Sequence, residues 1–253
     1  MTAFIIRLIA CITMLIDHTG LVFKEELAQI HPLLPVAFRV IGRLAFPLFA
    51  FGIAEGVTHT SSPKKYILRM LLFAIISQFP FMLMVGTHNP DFTLNLFKHQ
   101  VGLSSELSVM VTLLLGLIVC TCIHEGKHFG AALALGGGYI LDKLVGYDYG
   151  LLGVLFIVAL YLARQSKLGR SLVLVLFCIC FYLTHVVTLA KQIIGGTPQF
   201  TLGLCYCIAM CVPAIILLFY NGKPGPKAKA FTYSFYPLHM LVLWVIWAAI
   251  KIY

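Results

Sequence analysis

The sequence predicts an all-α fold, a polytopic bundle of about nine transmembrane helices with its N-terminus in the cytoplasm. Hydrophobic residues make up 60% of the 253 residues and charged residues only 11%, whereas a soluble domain usually carries about 25% charge. The mean hydropathy is +0.98, and apolar runs of about 20 residues recur from end to end. This pattern excludes a signal peptide followed by a soluble domain, so we expect one integral membrane domain over residues 1–253.

Nine apolar segments are long enough to be candidate spans. They cover residues 3–23, 37–58, 66–86, 107–123, 128–146, 149–163, 170–190, 200–220 and 231–251. The fourth, fifth and sixth are the weakest. Three consecutive glycines at 136–138, and the short sixth segment, could instead form broken or re-entrant helices, which a bilayer tolerates only where protein or a cavity covers them.

Basic residues fall unevenly on the two sides of this arrangement. One side holds Lys64, Lys65, Arg69, Lys127, Arg164, Lys167, Arg170, Lys223, Lys227 and Lys229; the other holds Lys24, Lys98, Lys191 and Lys251. The positive-inside rule makes the richer side cytoplasmic and puts the C-terminus and the loop 86–106 outside. The net charge of +9 is therefore a matter of topology, and we expect a lipid bilayer and no nucleic acid as partner.

The eight cysteines include three Cys-x-Cys pairs inside apolar runs. Residues two apart on a helix point about 200° apart. We interpret these cysteines as apolar filling and expect neither a metal site nor disulfides.

The first helix carries Arg7, Asp17 and His18. Arg7 and His18 are eleven residues apart, so they share one face with roughly 16 Å of rise between them. Asp17 points about 100° away from His18 and is expected to pair with another helix. A structural reading stays open, in which Asp17 and His18 lie at an interfacial helix end and Arg7 anchors the topology.

The second helix carries two polar pairs, each one turn apart: Arg39 with Arg43, and Glu55 with His59. Pro47 has no N–H to give to the carbonyl of Arg43, so we expect a kink beside the arginines. A kinked helix with inward arginines indicates a polar cavity. Arg43 could also serve only to pair with Asp17 and hold two helices together.

The last helix places Tyr236 and His239 on one face, and Pro237 frees the carbonyl of Tyr233. A lone histidine in an apolar helix is more often a hydrogen-bonded core residue than a catalyst, and this applies equally to His185 and Thr188 of the seventh helix. Buried charge is costly in lipid. The co-occurrence of His18, Arg43, Glu55 and His239 on different helices therefore favours a shared site.

Motifs of soluble enzymes are missing from the sequence: it contains no phosphate loop, dinucleotide fingerprint, HExxH or nucleophile elbow. A covalent serine or cysteine triad is not expected. The candidate base is a histidine, whose ordinary pKa lies close to working pH.

Five segments resemble the TraX family: RLIACITMLIDHTG, FRVIGRLAFPLFAFGIAEGVTHT, KKYILRMLLFAIISQFPF, DYGLLGVLFIVALYL and FTYSFYPLHMLVLW. They cover nearly the whole chain in order, and the combination of IDHTG, GRLAFPLFAF and FYPLH is specific. The resemblance implies a multi-pass protein of the bacterial inner membrane and a link to acetylation of a pilin N-terminus. One position departs from the family, which often has asparagine where this chain has Ser108.

The arginine and histidine of the first helix also resemble the signature of wider transmembrane acyltransferases that modify surface glycans. That resemblance implies a cytoplasmic acyl-CoA donor, with acetyl-CoA expected here, and a histidine central to transfer. Pilin N-terminus, peptide and envelope glycan stay open as acceptors.

The resulting hypothesis is a membrane acyltransferase in which His18 acts as general base or acyl carrier, supported by Asp17 and Arg43 as catalytic residues. Donor or acceptor binding is assigned to a second set of side chains. These are Arg7, Arg39, Glu55, Lys64, Lys65, Arg69, Tyr236 and His239. The pantetheine arm is of the same general length as the rise from Arg7 to His18, with the CoA phosphates near Lys64, Lys65 and Arg69.

Two other functions stay open. A transporter of small molecules or lipids would also keep charges and prolines at mid-membrane, but it predicts two similar halves, which the sequence lacks. A non-catalytic assembly factor for a pilus or envelope system predicts tolerance of substitution at His18 and Arg43.

Overall fold

The computed structural model describes residues 1–89, 91–96, 99–183, 187, 190–191, 194–195, 202–226 and 229–252. These residues are mostly helical, which confirms the predicted fold class at that level. The helices are α1 (Ala3–Val22), α2 (Lys24–Ile30), α3 (Leu34–Gly42), α4 (Ala45–His59), α5 (Pro63–Gly86), α6 (Val109–His124), α7 (His128–Leu144), α8 (Gly150–Leu162), α9 (Lys167–Phe181), α10 (Leu202–Leu218) and α11 (Lys229–Ile252).

Among the residues that the structure describes, four helical segments are long and apolar enough to cross a membrane: Ala3–Val22, Leu34–His59, Pro63–Gly86 and Phe231–Lys251. Three shorter apolar helices accompany them within the described ranges: Val109–His124, Gly150–Leu162 and Gly203–Leu218. Large apolar side chains also cover the outer faces, and on α5 Leu68, Leu72, Ile75 and Phe79 are each more than half exposed. Their spacing of three to four residues makes one stripe. Such a stripe suits contact with lipid and not with water.

The predicted kink in the second helix is present, and it divides α3 from α4. Arg43 and Leu44 lie in a tight turn, in which the Arg43 amide donates to the Val40 carbonyl at 3.2 Å and the Leu44 amide donates to the Ile41 carbonyl at 3.2 Å. These bonds span three residues instead of four because Pro47 cannot continue the regular ladder. The turn lets the arginines at the end of α3 face α1.

The loop 86–106 between the third and fourth spans departs from the all-α prediction. It contains an antiparallel hairpin of β1 (Phe92–Leu96) and β2 (His99–Leu103). Asp91 joins the hairpin to the chain before α6, because its carboxylate accepts hydrogen bonds from the Ser105 hydroxyl at 2.7 Å and from the Ser105 amide. These bonds hold the pKa of Asp91 below its usual value.

The alternative of a broken helix at residues 136–138 is also wrong. Helix α7 runs without interruption through the three glycines and packs mainly on α6 and α8. Only Ala131 and Gly138 of α7 are buried. Three glycines cost helix propensity but do not remove backbone donors, so the hydrogen-bond ladder continues.

Helix α1 packs on α3, α4 and α11, and its residues Ile6, Ala10 and Met14 belong to the hydrophobic core of the bundle. Two glycines allow α1 and α3 to approach closely. A Cβ on Gly20 would lie 2.5 Å from the Cβ of Phe38, and a Cβ on Gly42 would lie 2.0 Å from Oδ1 of Asp17. This close approach brings the α3 arginines to the polar end of α1.

Some predictions fall on residues that the structure does not describe. His185 and Thr188 of the predicted seventh span lie outside the described residues, as do Lys98 and Lys227 of the two loop sets.

Candidate active site

Asp17 lies between two arginines of α3. Its Oδ1 accepts a hydrogen bond from Arg43 Nη2 at 2.8 Å, and its Oδ2 accepts one from Arg39 Nη1. The Asp17 side chain is only 10% exposed and that of Arg43 16%. The guanidinium of Arg43 also lies 5.4 Å from the ring centre of Tyr206. Asp17 therefore pairs with a neighbouring helix, as its direction on α1 predicts, and both α3 arginines bind this one carboxylate.

His18 pairs with His239 of α11. The Nδ1 of His18 lies 2.7 Å from Nε2 of His239, and the two ring planes are within 6° of parallel with 4.9 Å between their centres. The other nitrogen of His239, Nδ1, lies 2.7 Å from the carbonyl oxygen of Phe235. The two predicted histidines are thus in direct contact, and one of them is tied to the backbone.

The backbone contact determines where the protons of the neutral pair lie. A carbonyl can only accept, so Nδ1 of His239 carries the proton and its Nε2 is an acceptor. Nδ1 of His18 must then donate to that acceptor, which leaves Nε2 of His18 with a free lone pair. No further side-chain hydrogen bond to His18 is found among the described residues. The geometry prepares His18 to accept a proton or to attack a carbonyl carbon.

A cavity of about 430 Å³ extends through the bundle beside α1. It runs from loop residues such as Thr60 and Pro224 to Met14 and Tyr236 in the middle of their helices. Its volume falls in the range of about 300–1,000 Å³ that is typical of small-molecule sites. Met14 precedes His18 by one helical turn, and the ring of Tyr236 lies 5.8 Å from that of His239. The inner end of the cavity therefore lies close to the histidine pair.

Four of the predicted binding residues line this cavity: Arg7, Glu55, Arg69 and Tyr236. His18, Asp17, Arg39, Arg43 and His239 do not line it but form the polar cluster beyond its inner end. The structure thus brings the predicted residues together in two adjoining groups.

Glu55 does not join the cluster around Arg43, contrary to the expectation of one shared site. Its Oε1 accepts a hydrogen bond from the Tyr220 hydroxyl at 2.8 Å and lies 3.7 Å from Nδ1 of His59. The physical reason is distance, since twelve residues of helix separate Arg43 from Glu55 by roughly 18 Å. Glu55 belongs to the outer part of the cavity.

Lys64 and Lys65 were expected beside the CoA phosphates, and this placement is not supported. Both are exposed at the start of α5 and line neither of the described cavities, whereas Arg69, one turn after Lys65, does line the large one. Lys65 is four residues before Arg69 and Lys64 is five residues before it, so the two lysines cannot both lie on the helix face of Arg69.

Ser108 is fully buried at the start of α6. Its amide donates to Oε1 of Gln78 at 3.0 Å. Ser108 therefore helps to hold α6 against α5 next to Val109, which lines the inner part of the cavity.

The sequence analysis did not identify the aromatic contacts that pack beside this site. Tyr149, in the left-handed conformation with φ 63°, stacks on Phe46 of α4 with 3.7 Å between ring centres. A non-glycine residue at positive φ is uncommon and is worth attention near a site. The motif DYG contains it, but periodicity cannot reveal a single unusual φ.

The sequence analysis also missed a group of three basic residues, which it used only to assign the topology: Arg164, Lys167 and Arg170. These residues line a separate cavity of about 310 Å³ at the α8–α9 corner.

Comparison with known proteins gives three findings. A family model described as TraX protein matches residues 3–247. The probable fimbrial assembly protein FimC, serogroup H1, of Dichelobacter nodosus is 26% identical over 245 residues, which cover 96% of this chain and 94% of that relative. No solved structure matches the chain.

Proposed function

The chain belongs to the TraX family, as its sequence motifs predict, and on that premise we propose that it is a membrane-embedded acyltransferase. The donor is an acyl-CoA, most simply acetyl-CoA, and the acceptor is an amine or hydroxyl group. The observation that carries this proposal is the hydrogen bond between His18 and His239, because it leaves Nε2 of His18 unprotonated, and His18 is one helical turn from Met14, which lines a ligand-sized cavity.

In the proposed reaction, Nε2 of His18 takes a proton from the acceptor as its nitrogen or oxygen attacks the thioester carbonyl carbon. The carbon–sulfur bond of the resulting tetrahedral intermediate then breaks. The acyl group stays on the acceptor, and the CoA sulfur leaves as a thiol with the proton from His18. His239 is a positioning residue that fixes the tautomer of His18.

Asp17, Arg39 and Arg43 support this site in the proposal. Both arginines bind Asp17, so their first role is to hold α1 against α3 and fix the neighbouring His18. Arg43 is the better candidate of the two to stabilise the oxyanion, since its side chain is more buried.

The large cavity is the proposed channel for the pantetheine arm. Arg7 and Arg69 line its outer part, and Met14 at its inner end is one turn from His18. From Arg7 to Met14 the rise is about 10 Å. A thioester entering at the mouth can therefore reach the neighbourhood of His18 while the nucleotide stays outside the apolar part.

We place the protein in the bacterial inner membrane as a multi-pass protein of about nine spans, with its N-terminus in the cytoplasm. The bias of basic residues supports this orientation. The cavity mouth, formed by residues near the N-terminus and at the α4–α5 corner, then faces the cytoplasm, where acyl-CoA is found.

A second candidate function is a non-catalytic role in fimbrial assembly, which the name of the Dichelobacter relative favours. An assembly factor must contact its partners, but it does not need a histidine whose lone pair is free to accept a proton. The two functions therefore differ in whether the protein consumes acetyl-CoA.

The test uses purified protein in nanodiscs with radiolabelled acetyl-CoA and an envelope extract as the source of acceptors. We expect release of CoA thiol and label in a protein, glycan or peptide fraction. No thiol release and no labelling above empty nanodiscs would contradict the acyltransferase proposal and favour the assembly role.

A further inference from the structure

We propose that the basic cavity at the α8–α9 corner binds the phosphate groups of the acyl-CoA donor, with Arg170 as the principal ligand and Arg164 and Lys167 beside it. This inference rests on the proposed function for the identity of the ligand. The phosphate chemistry itself follows from the structure of the cavity.

Arg170 is the first observation. The residue is only 6% exposed, and its Nε has no hydrogen-bond partner among the described residues. No carboxylate of the described chain lies within ion-pair distance of it. A buried guanidinium without a counter-charge is costly, so an anion is expected beside it.

Aromatic rings hold Arg170 in place. Its guanidinium carbon lies 5.5 Å from the ring centre of Phe51 and 5.6 Å from that of Tyr220. Such contacts stabilise the cation through its flat face. They leave the N–H groups at the edge of the guanidinium for an oxygen ligand, and arginine matches phosphate oxygens in pairs.

The other charged residues of the cavity also favour an anionic ligand. Arg164 and Lys167 line it together with Arg170, and among the described residues Glu55 is the one carboxylate in the lining. That carboxylate already accepts the Tyr220 hydroxyl at 2.8 Å. The 310 Å³ cavity therefore carries three cations against one anion, which suits a ligand with more than one negative charge.

The position of the cavity connects it to the proposed channel. Glu55 and Tyr220 line both cavities, so the two cavities adjoin at these residues. A ligand with its phosphates against Arg170 can extend an uncharged arm past these two residues into the larger cavity. CoA has this arrangement of a phosphorylated head and a long neutral arm, whereas a free phosphate lacks the arm.

The test measures binding of CoA to the purified full chain in phosphatidylcholine nanodiscs by calorimetry. We expect Arg170→Gln to weaken CoA binding about tenfold or more, as loss of a charge-assisted hydrogen bond would. Lys167→Gln, an exposed change in the same cavity, should weaken binding by a smaller factor of about three. Lys127→Gln is the matched control, since that lysine is exposed, pairs with Glu125 and lines neither cavity.

Pantetheine, which has the arm but no phosphate, should bind all four proteins equally. Unchanged CoA affinity in both Arg170→Gln and Lys167→Gln would overturn the assignment. A repeat in phosphatidylglycerol nanodiscs separates the two phosphate sources. If that lipid abolishes CoA binding in wild type but not in Arg170→Gln, the site belongs to a lipid headgroup, and the assignment to CoA is wrong.

The outcome of this binding test can be distinguished from the outcome of the acyl-transfer assay. His18→Ala should bind CoA as wild type does, because His18 lines neither cavity. If the wild-type protein binds CoA in a phosphate-dependent way but transfers no acyl group, the binding site is retained and the proposed reaction is rejected.

Discussion

At the scale of single residues, the chemistry of the site depends on one chain of hydrogen bonds from a backbone carbonyl to a histidine. Phe235 accepts from His239, and His239 accepts from His18. The sequence identifies both histidines as candidates but cannot pair them, because they are 221 residues apart. The pairing depends on how α1 and α11 pack, and helical periodicity holds no information about that register.

Replacing His239 tests the tautomer argument. We expect His239→Ala to lower kcat about 10- to 100-fold with little change in KM, because His18 loses the acceptor that fixes its proton on Nδ1. His239→Gln should retain more activity, since a side-chain amide oxygen can accept the same hydrogen bond. Steady-state kinetics of both variants provide the measurement, and equal losses in the two would contradict the role of the acceptor.

Removing Arg43 tests the ion pair. We expect Arg43→Ala to destabilise the protein by about 3–5 kcal/mol, because Asp17 keeps a buried charge with one partner fewer. A thiol-reactive dye reports the unfolding, since Cys11, Cys120, Cys178 and Cys207 are buried and free. The double variant with Asp17→Asn should lose less than the sum of the two single losses. Additive losses would show that the two side chains act independently.

At the scale of elements, the close contact of α1 and α3 requires glycine at position 42. A Cβ there would overlap the Asp17 carboxylate, so we expect Gly42→Ala to destabilise the protein by about 1–3 kcal/mol or more and to disturb the ion pair. Gly136→Ala is the matched control, because nothing lies within 4 Å of its added methyl. The control should be neutral or stabilising by up to about 1 kcal/mol. If Gly136→Ala lowered the unfolding temperature more than Gly42→Ala does, the close contact of α1 and α3 would be contradicted.

The hairpin outside the helices should respond to acid. Asp91 has a usual pKa of 3.8, which the Ser105 hydrogen bonds lower in the folded state. A lowered carboxyl pKa means that the bonds stabilise the loop above pH 3.8 and that this contribution is lost as pH falls through the lower, folded-state pKa. Hydrogen exchange of the Ser105 amide should stay slow from pH 7 to about pH 4 after correction for intrinsic rates, and become fast below. Asp91→Ala should remove protection throughout. Protection that persists unchanged in this variant would show that other contacts close the loop.

The four long apolar helical segments could be predicted from the sequence, because each carries its own apolar run. Helix α2, with the sequence KEELAQI, has no such run and was not predicted. The kink before α4 follows from Pro47 alone. The hairpin, the continuity of α7 and the separation of Glu55 from Arg43 could not be predicted in the same way. They depend on strand register, on hydrogen bonds that three glycines still provide, and on which neighbour each helix face meets.

At the scale of the whole molecule, the orientation in the membrane decides which solvent reaches the cavity mouth. Helix α5 has 24 residues and a length of roughly 36 Å, enough to cross a hydrocarbon core of about 30 Å. In a variant lacking the native cysteines, Lys65→Cys and Lys223→Cys should label from the cytoplasm and Asn89→Cys from outside. Labelling of positions 65 and 89 from the same side would reject the proposed topology.

The claim that His18 performs acyl transfer is tested most directly by thiol release from acetyl-CoA in purified wild type, His18→Ala and His128→Ala. His128 is exposed at the start of α7 and serves as the control. We predict that His18→Ala lowers the rate by about 10²–10⁴-fold, that the control retains the wild-type rate, and that all three unfold at similar temperatures. The wild-type rate should also fall in acid, where His18 is protonated. A folded His18→Ala protein that transfers acetyl groups at the wild-type rate would contradict the account.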